Sequence, residues 1–178
     1  MAEAAIDADR EKITKLSNEG KIVQAQEILQ PYVDAAKRAK TKEEKQAAMD
    51  AIIARLDVSS EKEKMFWSGD KELARKIAAE KGKVILEETA GGRVIDGWQD
   101  LNDTFSWDAK TLPPHGWDLW GDVSAKYSED AFGEIDIIQN IKKFPNGGET
   151  WRGSEWTTIF KKRKVSMMHI YGMDDKGF

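Results

Sequence analysis

The sequence predicts an α+β fold, and three observations predict it. Residues 1–64 are rich in Ala, Lys and Glu and hold one aromatic, Tyr32, whereas all seven tryptophans lie between Trp67 and Trp156. Apolar residues recur at helical spacing through roughly the first eighty positions. Beyond Lys83 the pattern changes to short apolar runs bounded by Gly, Pro and Asn. A helical portion over residues 1–64, a scaffold and not an independent unit, is expected to pack on a portion over 65–178. That second portion carries the chemistry and a small, mostly parallel sheet. Together they are expected to make one compact domain with a cleft between the two parts.

Ile6, Ile13 and Leu16 mark the first helix, with Gly20 as its stop. Ile22, Val23, Ile28 and Leu29 mark a second, which Pro31 either kinks or restarts. Thr41 with Glu44 has capping-box spacing ahead of Met49, Ile52, Ile53 and Leu56. Ser60 with Glu63 repeats that signal before Met65 and Phe66. Leu73, Ala74, Ile77 and Ala78 form another apolar face, closed by Gly82. Val84-Ile85-Leu86 is a buried strand or the lead into a helix, and it delivers Glu87-Glu88-Thr89 and a flexible Ala90-Gly91-Gly92. Residues 96–117 read as a loop whose aromatics mostly pack in the core. Leu119–Tyr127 reads as a helix with Trp120, Val123 and Tyr127 on one face and Ser124 one turn after Trp120. Glu134–Ile137 alternates like a half-buried strand; residues 156–160 and 165–171 are the further strands expected.

Composition removes several function classes. The chain is 40% hydrophobic and 34% charged, within the range of globular proteins, and no apolar run approaches the ~20 residues of a membrane span. A net charge of -4 argues against broad binding to nucleic acid or an acidic membrane. The start, Met1–Asp7, lacks the basic and apolar regions of a signal peptide. Without cysteine there is no disulfide or thiolate chemistry, and with two histidines no zinc site of the usual kind is expected.

Thr150-Trp151-Arg152-Gly153-Ser154-Glu155-Trp156 sets one carboxylate between two indoles. Beside aromatic walls a carboxylate is screened less by water, which suits stabilisation of a developing cation on a sugar. The same residues equally describe a strand edge with an aromatic ladder and a solvated Glu. Adjacent Glu87 and Glu88 likewise read as a site or as an element end facing water.

Four segments, in order and at similar gaps, resemble the ADP-ribosyl cyclase family of NAD glycohydrolases and cyclases. Phe66-Trp67-Ser68 is similar to the segment with the family's first nicotinamide-stacking Trp. Leu86-Glu87-Glu88-Thr89-Ala90-Gly91-Gly92 resembles its Leu-Glu-Asp-Thr-x-x-Gly signature, with Glu88 in place of Asp. Leu119-Trp120-Gly121-Asp122-Val123-Ser124 resembles its Phe-Trp-x-x-Val-Ser helix. Thr150–Glu155 matches its Thr-Phe-x-x-x-Glu spacing, with Trp151 for Phe. The resemblance covers residues 66–155. The missing cysteines depart from the disulfide-rich vertebrate members and suggest a bacterial relative.

The resemblance implies an ADP-ribosyl cyclase-like fold and cleavage of the nicotinamide–ribose bond of NAD or NADP. These dinucleotides are substrates, and no cofactor or metal is implied. Glu155 would stabilise or capture the ribosyl cation, and Trp67 and Trp120 would sandwich the pyridinium. Ser124 would bond a phosphate or the ribose. Glu87 would contact the carboxamide and influence what attacks, with Glu88 and Asp96 of second rank. Thr150 stands where efficiently cyclising members carry Phe, which tilts the expectation to hydrolysis. The associated expectation is a toxin module, the C-terminal part of a secreted protein, acting in a target-cell cytoplasm and restrained by a cognate immunity protein. Two rivals stand beside it: an endoribonuclease using His115 and His169, and a binding module with no activity.

Overall fold

The computed structural model describes residues 2–106, 117–140, 158–159, 161 and 164–173. The Thr150–Glu155 motif, His115 and the Pro145–Gly148 loop therefore lie outside the described residues. The chain divides into two compact units, 1–58 with 90–119 and 59–89 with 120–178.

In the first unit, helices α1 (Ala2–Asn18), α2 (Ile22–Arg38) and α3 (Lys42–Ala54) form where periodicity places them. Ile13, Ala25, Leu29, Val33, Met49 and Ile52 are buried, so the apolar stripes face inward. α2 runs unbroken through Pro31. The Thr41 hydroxyl accepts from Glu44 N at 3.1 Å, and the Glu44 carboxylate accepts from Lys40 N at 2.8 Å, one residue before the usual capping-box position. Arg55 ties the three helices together. Its Nε donates to Asp9 at 2.8 Å, and its guanidinium lies 4.3 Å from the Tyr32 ring centre.

Two expectations in this unit need correction. Ala90-Gly91-Gly92 is not a flexible link but the start of α5 (Ala90–Ile95). Gly91 N donates to Asp57 O at 2.7 Å, and a Cβ on Gly91 would lie 2.9 Å from both Asp57 O and Leu56 Cβ. The glycine is there for close approach. The loop expected from Asp96 onward contains α6 (Gln99–Thr104), entered through Trp98. Trp98, Phe105 and Trp117 are buried as core aromatics. Lys45 Nζ sits 5.5 Å from the Trp117 ring centre, and its burial lowers its pKa.

In the second unit β1 (Met65–Trp67), β2 (Gly133–Asn140) and β3 (Val165–Met173) form a parallel sheet in the order β1-β2-β3. α4 (Lys71–Glu80), capped by Asp70 accepting from Leu73 N at 3.0 Å, buries Ala74 and Ala78 in a cluster with Met65, Ile85 and Ile138. The helix signal at Ser60 and Glu63 is overturned. Ser60 Oγ accepts from Lys62 N within a turn, the Glu63 carboxylate accepts from Glu134 N, and β1 follows. Gly133 holds φ 65°, a left-handed backbone that glycine takes without strain, and a Cβ there would also press on the end of the Glu63 side chain.

Val84-Ile85-Leu86 resolves into a single parallel bridge, Lys64 with Val84, followed by a 3-10 turn over Leu86–Glu88. The alternation expected over Glu134–Ile137 does not hold past the exposed Glu134: Ile135, Asp136, Ile137 and Ile138 are all at most 1% exposed, as in a parallel strand covered on both faces. Thr158 and Ile159 are helical, not extended as expected there, and Trp156, Thr157 and Phe160 lie outside the described residues. β3 runs two residues past the expected end at Tyr171.

Candidate functional site

Trp67 ends β1, and its indole N–H donates to Glu87 Oε2 at 3.1 Å across twenty positions of chain. Both residues are half-buried. Glu87 is held by its turn: Glu88 N donates to Ile85 O and Thr89 N to Leu86 O, each at 3.1 Å. The buried Thr89 hydroxyl donates to Leu86 O at 2.7 Å and closes the turn from within. A charge-assisted bond from a donor-only indole to a carboxylate is a directional link, and the turn keeps its acceptor end from wandering.

Glu88 takes a different path. Its Oε1 lies 3.3 Å from Arg75 Nε, and Arg75 also meets Glu72 at 2.8 Å on α4. The two adjacent carboxylates therefore do different work, one on the tryptophan and one on the neighbouring helix.

Helix α7 (Leu119–Glu129) carries Trp120, half-buried, and Ser124, buried one turn later. The third residue of that face, Tyr127, fixes the frame. Its hydroxyl lies 2.7 Å from Val84 O and 3.1 Å from Met65 O, so it reaches both β1 and the segment leading to Glu87. The fully buried Lys64 donates to Tyr127 O and packs 4.3 Å from the Tyr127 ring centre, a cation at the helix C-terminus where the dipole favours it. Two residues of strand carry Trp67 about 7 Å beyond Met65. Trp67 is thus the last residue of β1, at the C-terminal end of a parallel strand, where such sheets receive ligands.

Asp96 belongs to the first unit, half-buried in the turn after α5, with its N–H on Gly92 O at 2.9 Å. Glu155 and Thr150 are outside the described residues. His169, one half of the nuclease pair, lies on β3 with Nε2 3.4 Å from Glu134 and its ring stacked 6.4 Å from Tyr171. Among the described residues no three His, Asp or Glu side chains converge as metal ligands, and no helix is long and apolar enough to cross a membrane.

Sequence reasoning missed Arg75 and the polar role of Tyr127. The Glu72–Arg75 spacing was readable as a helical pair, but its extension to Glu88 depends on the chain returning. Tyr127 read as one more apolar residue on its helix face.

The fold is similar to that of solved ADP-ribosyl cyclases. An ADP-ribosyl cyclase complexed with N1-cIDPR matches with a TM-score of 0.55 at 21% identity, over 71% of this chain and 55% of that one. Aplysia cyclase, complexed with substrate NGD and product cGDPR, matches with a TM-score of 0.52 at 20% identity, over 74% of this chain and 55% of its own. The chain thus spans a little over half the length of these proteins. The fold is ADP-ribosyl cyclase-like. No protein-family model and no curated protein sequence matches the chain.

Proposed function

We propose that the protein is an NAD(P) glycohydrolase, cleaving the nicotinamide–ribose bond to give nicotinamide and ADP-ribose. The observation that carries the reading is the 3.1 Å contact of Trp67 with Glu87 at the sheet rim. The resemblance assigns both residues, from separate motifs, to the nicotinamide end of a dinucleotide. The cyclase-like fold supports the same reading.

The residues then divide the work. Trp67 and Trp120 stack on the pyridinium, whose charge attracts the indole faces. Nicotinamide departs neutral, taking the pair of electrons of the broken C–N bond, so no general acid is required. The ribosyl fragment left behind is cationic, and Glu155 stabilises it or captures it covalently. Ser124 bonds the ribose or a phosphate, Glu87 the carboxamide, and Glu88 shapes the pocket. Water then forms the new C1′–O bond and loses its proton. Thr150 favours this outcome over attack by the adenine ring, which would give the cyclic product. The absence of cysteine fits a bacterial toxin module that depletes NAD in a target-cell cytoplasm, with a cognate immunity protein as its partner.

Incubation of the purified protein with NAD, followed by assay of free nicotinamide, tests the reading. Release is expected, with Glu155→Gln lowering it at least ~100-fold, the scale of losing a preorganised electrostatic stabiliser. Absence of release from either NAD or NADP would refute the activity. Undiminished turnover by Glu155→Gln would refute the site.

A further inference from the structure

An indole presents two different surfaces to its surroundings. Its face is a π-system that attracts cations, whereas its edge carries one N–H that can only donate. The proposed stacking uses the Trp67 face alone. Its edge is committed to Glu87 Oε2 at 3.1 Å.

Glu87 has a fixed backbone and a flexible side chain. The 3-10 turn with the Thr89 hydroxyl behind it holds the backbone, but three side-chain torsions remain between that backbone and the carboxylate. The neighbouring Glu88 shows the alternative: from the same turn its carboxylate goes to Arg75 at 3.3 Å. Glu87 instead receives a donor at the end of β1, a strand pinned by the Tyr127 hydroxyl.

From this we infer that Trp67 is a positioning residue for Glu87: its indole N–H aims the carboxylate that governs what attacks the ribosyl cation, separately from any stacking by the ring. The inference rests on the proposed NAD cleavage. Two attacks compete once nicotinamide has left. Water forms a C1′–O bond and releases a proton, or an adenine ring nitrogen forms a C1′–N bond and closes the cyclic product. A carboxylate held in one direction favours one of these consistently. Without the indole N–H its direction changes, and the ratio changes with it.

Four proteins test this: wild type, Trp67→Phe, Glu87→Ala and the double variant, each assayed for nicotinamide release and for the ratio of cyclic product to ADP-ribose. Phe keeps an aromatic face and removes the N–H. In the wild-type background Trp67→Phe is expected to lower kcat/KM roughly tenfold, the scale of one hydrogen bond to a charged group, and to shift the product ratio. In the Glu87→Ala background, where the acceptor is gone, it should leave the ratio unchanged and alter only KM. An equal change in ratio or kcat in both backgrounds would overturn the inference while leaving the activity intact. A wild-type protein that releases no nicotinamide would overturn the activity itself, and the inference with it. If Trp67→Phe fails to fold, Glu87→Gln against Glu87→Ala decides. The amide oxygen can still accept from the indole, so Gln should hold the wild-type ratio more closely than Ala; identical ratios would refute the positioning role.

Discussion

Asp136 and Lys81 lie 3.1 Å apart, the carboxylate 2% exposed in the central strand and the ammonium 36% exposed just past the end of α4. Lys83 closes the other side at 3.5 Å with its side chain 9% exposed. Neither carboxylate oxygen meets hydrogen-bond geometry, so the pairing is ionic. Removing Asp136 leaves Lys83 charged and nearly dry, which is the costly way to break such a cluster. Asp136→Ala is expected to lose about 3 kcal/mol in urea unfolding, whereas Asp136→Leu with Lys83→Met should recover most of it, because the pair is then replaced and not broken. Additive losses in the double variant would show that the lysines do not depend on this carboxylate.

Lys81 also sets a pH dependence. Its pKa is raised above 10.5, first by the hydrogen bond to the Tyr171 hydroxyl and then by Asp136. A raised amine pKa means that the native state holds the proton more tightly than the unfolded chain. The resulting stability is fully present below 10.5 and disappears as pH climbs through the higher folded value. The side chain is well solvated, so the effect is small. Urea midpoints measured across the alkaline range should fall beyond 10.5 in wild type, and Tyr171→Phe and Lys81→Met should each flatten that fall. A wild-type midpoint that rises there would contradict the assignment.

The helices were the legible part of this fold because their signals are local. Thr41 and Glu44 specify a cap three residues apart, and Ile13, Leu29 and Ile52 lie on stripes that one turn of helix defines. The errors arise where a local signal serves a distant partner. Ser60 and Glu63 match a helix start, yet Glu63 is engaged by Glu134 seventy-one residues away. Gly91 reads as flexible until Asp57 and Leu56 are brought against it. Asp136 among isoleucines imitates a half-exposed alternation, because a pattern of residue types does not report that two lysines arrive to cover the charge. At the candidate site, Trp67 and Glu87 were named separately from two motifs. Their contact needs the chain from Ser68 to Leu86 to fold back, and that is a tertiary fact.

Tyr127 is the joint between α7, β1 and the segment before Glu87. Tyr127→Phe keeps the ring on Phe66, whose centre is 5.2 Å away, and removes the hydroxyl that serves Val84 O and Met65 O. About 1–3 kcal/mol of stability should be lost, since buried polar groups lose a partner. Nicotinamide release should fall as well, because Trp67 and Glu87 follow those two carbonyls in sequence. A variant as stable as wild type by urea unfolding would remove Tyr127 from this role.

The tryptophans differ in burial. Trp67 and Trp120 are half-buried, whereas Trp98 and Trp117 are buried in the other unit and serve its core. If the first pair holds the pyridinium, changing both to Ala removes cation–π attraction from two faces and the alignment of the scissile bond with Glu155. The joint loss in kcat/KM is expected to exceed ~100-fold, at ~1–2 kcal/mol for each desolvated contact together with the lost alignment. Truncating Trp98 instead should act through stability, lowering the urea midpoint with little change in the turnover of the molecules that remain folded. Equal turnover by the Trp67/Trp120 double variant and wild type would make those indoles packing residues and leave the carboxylates without a ligand to act on.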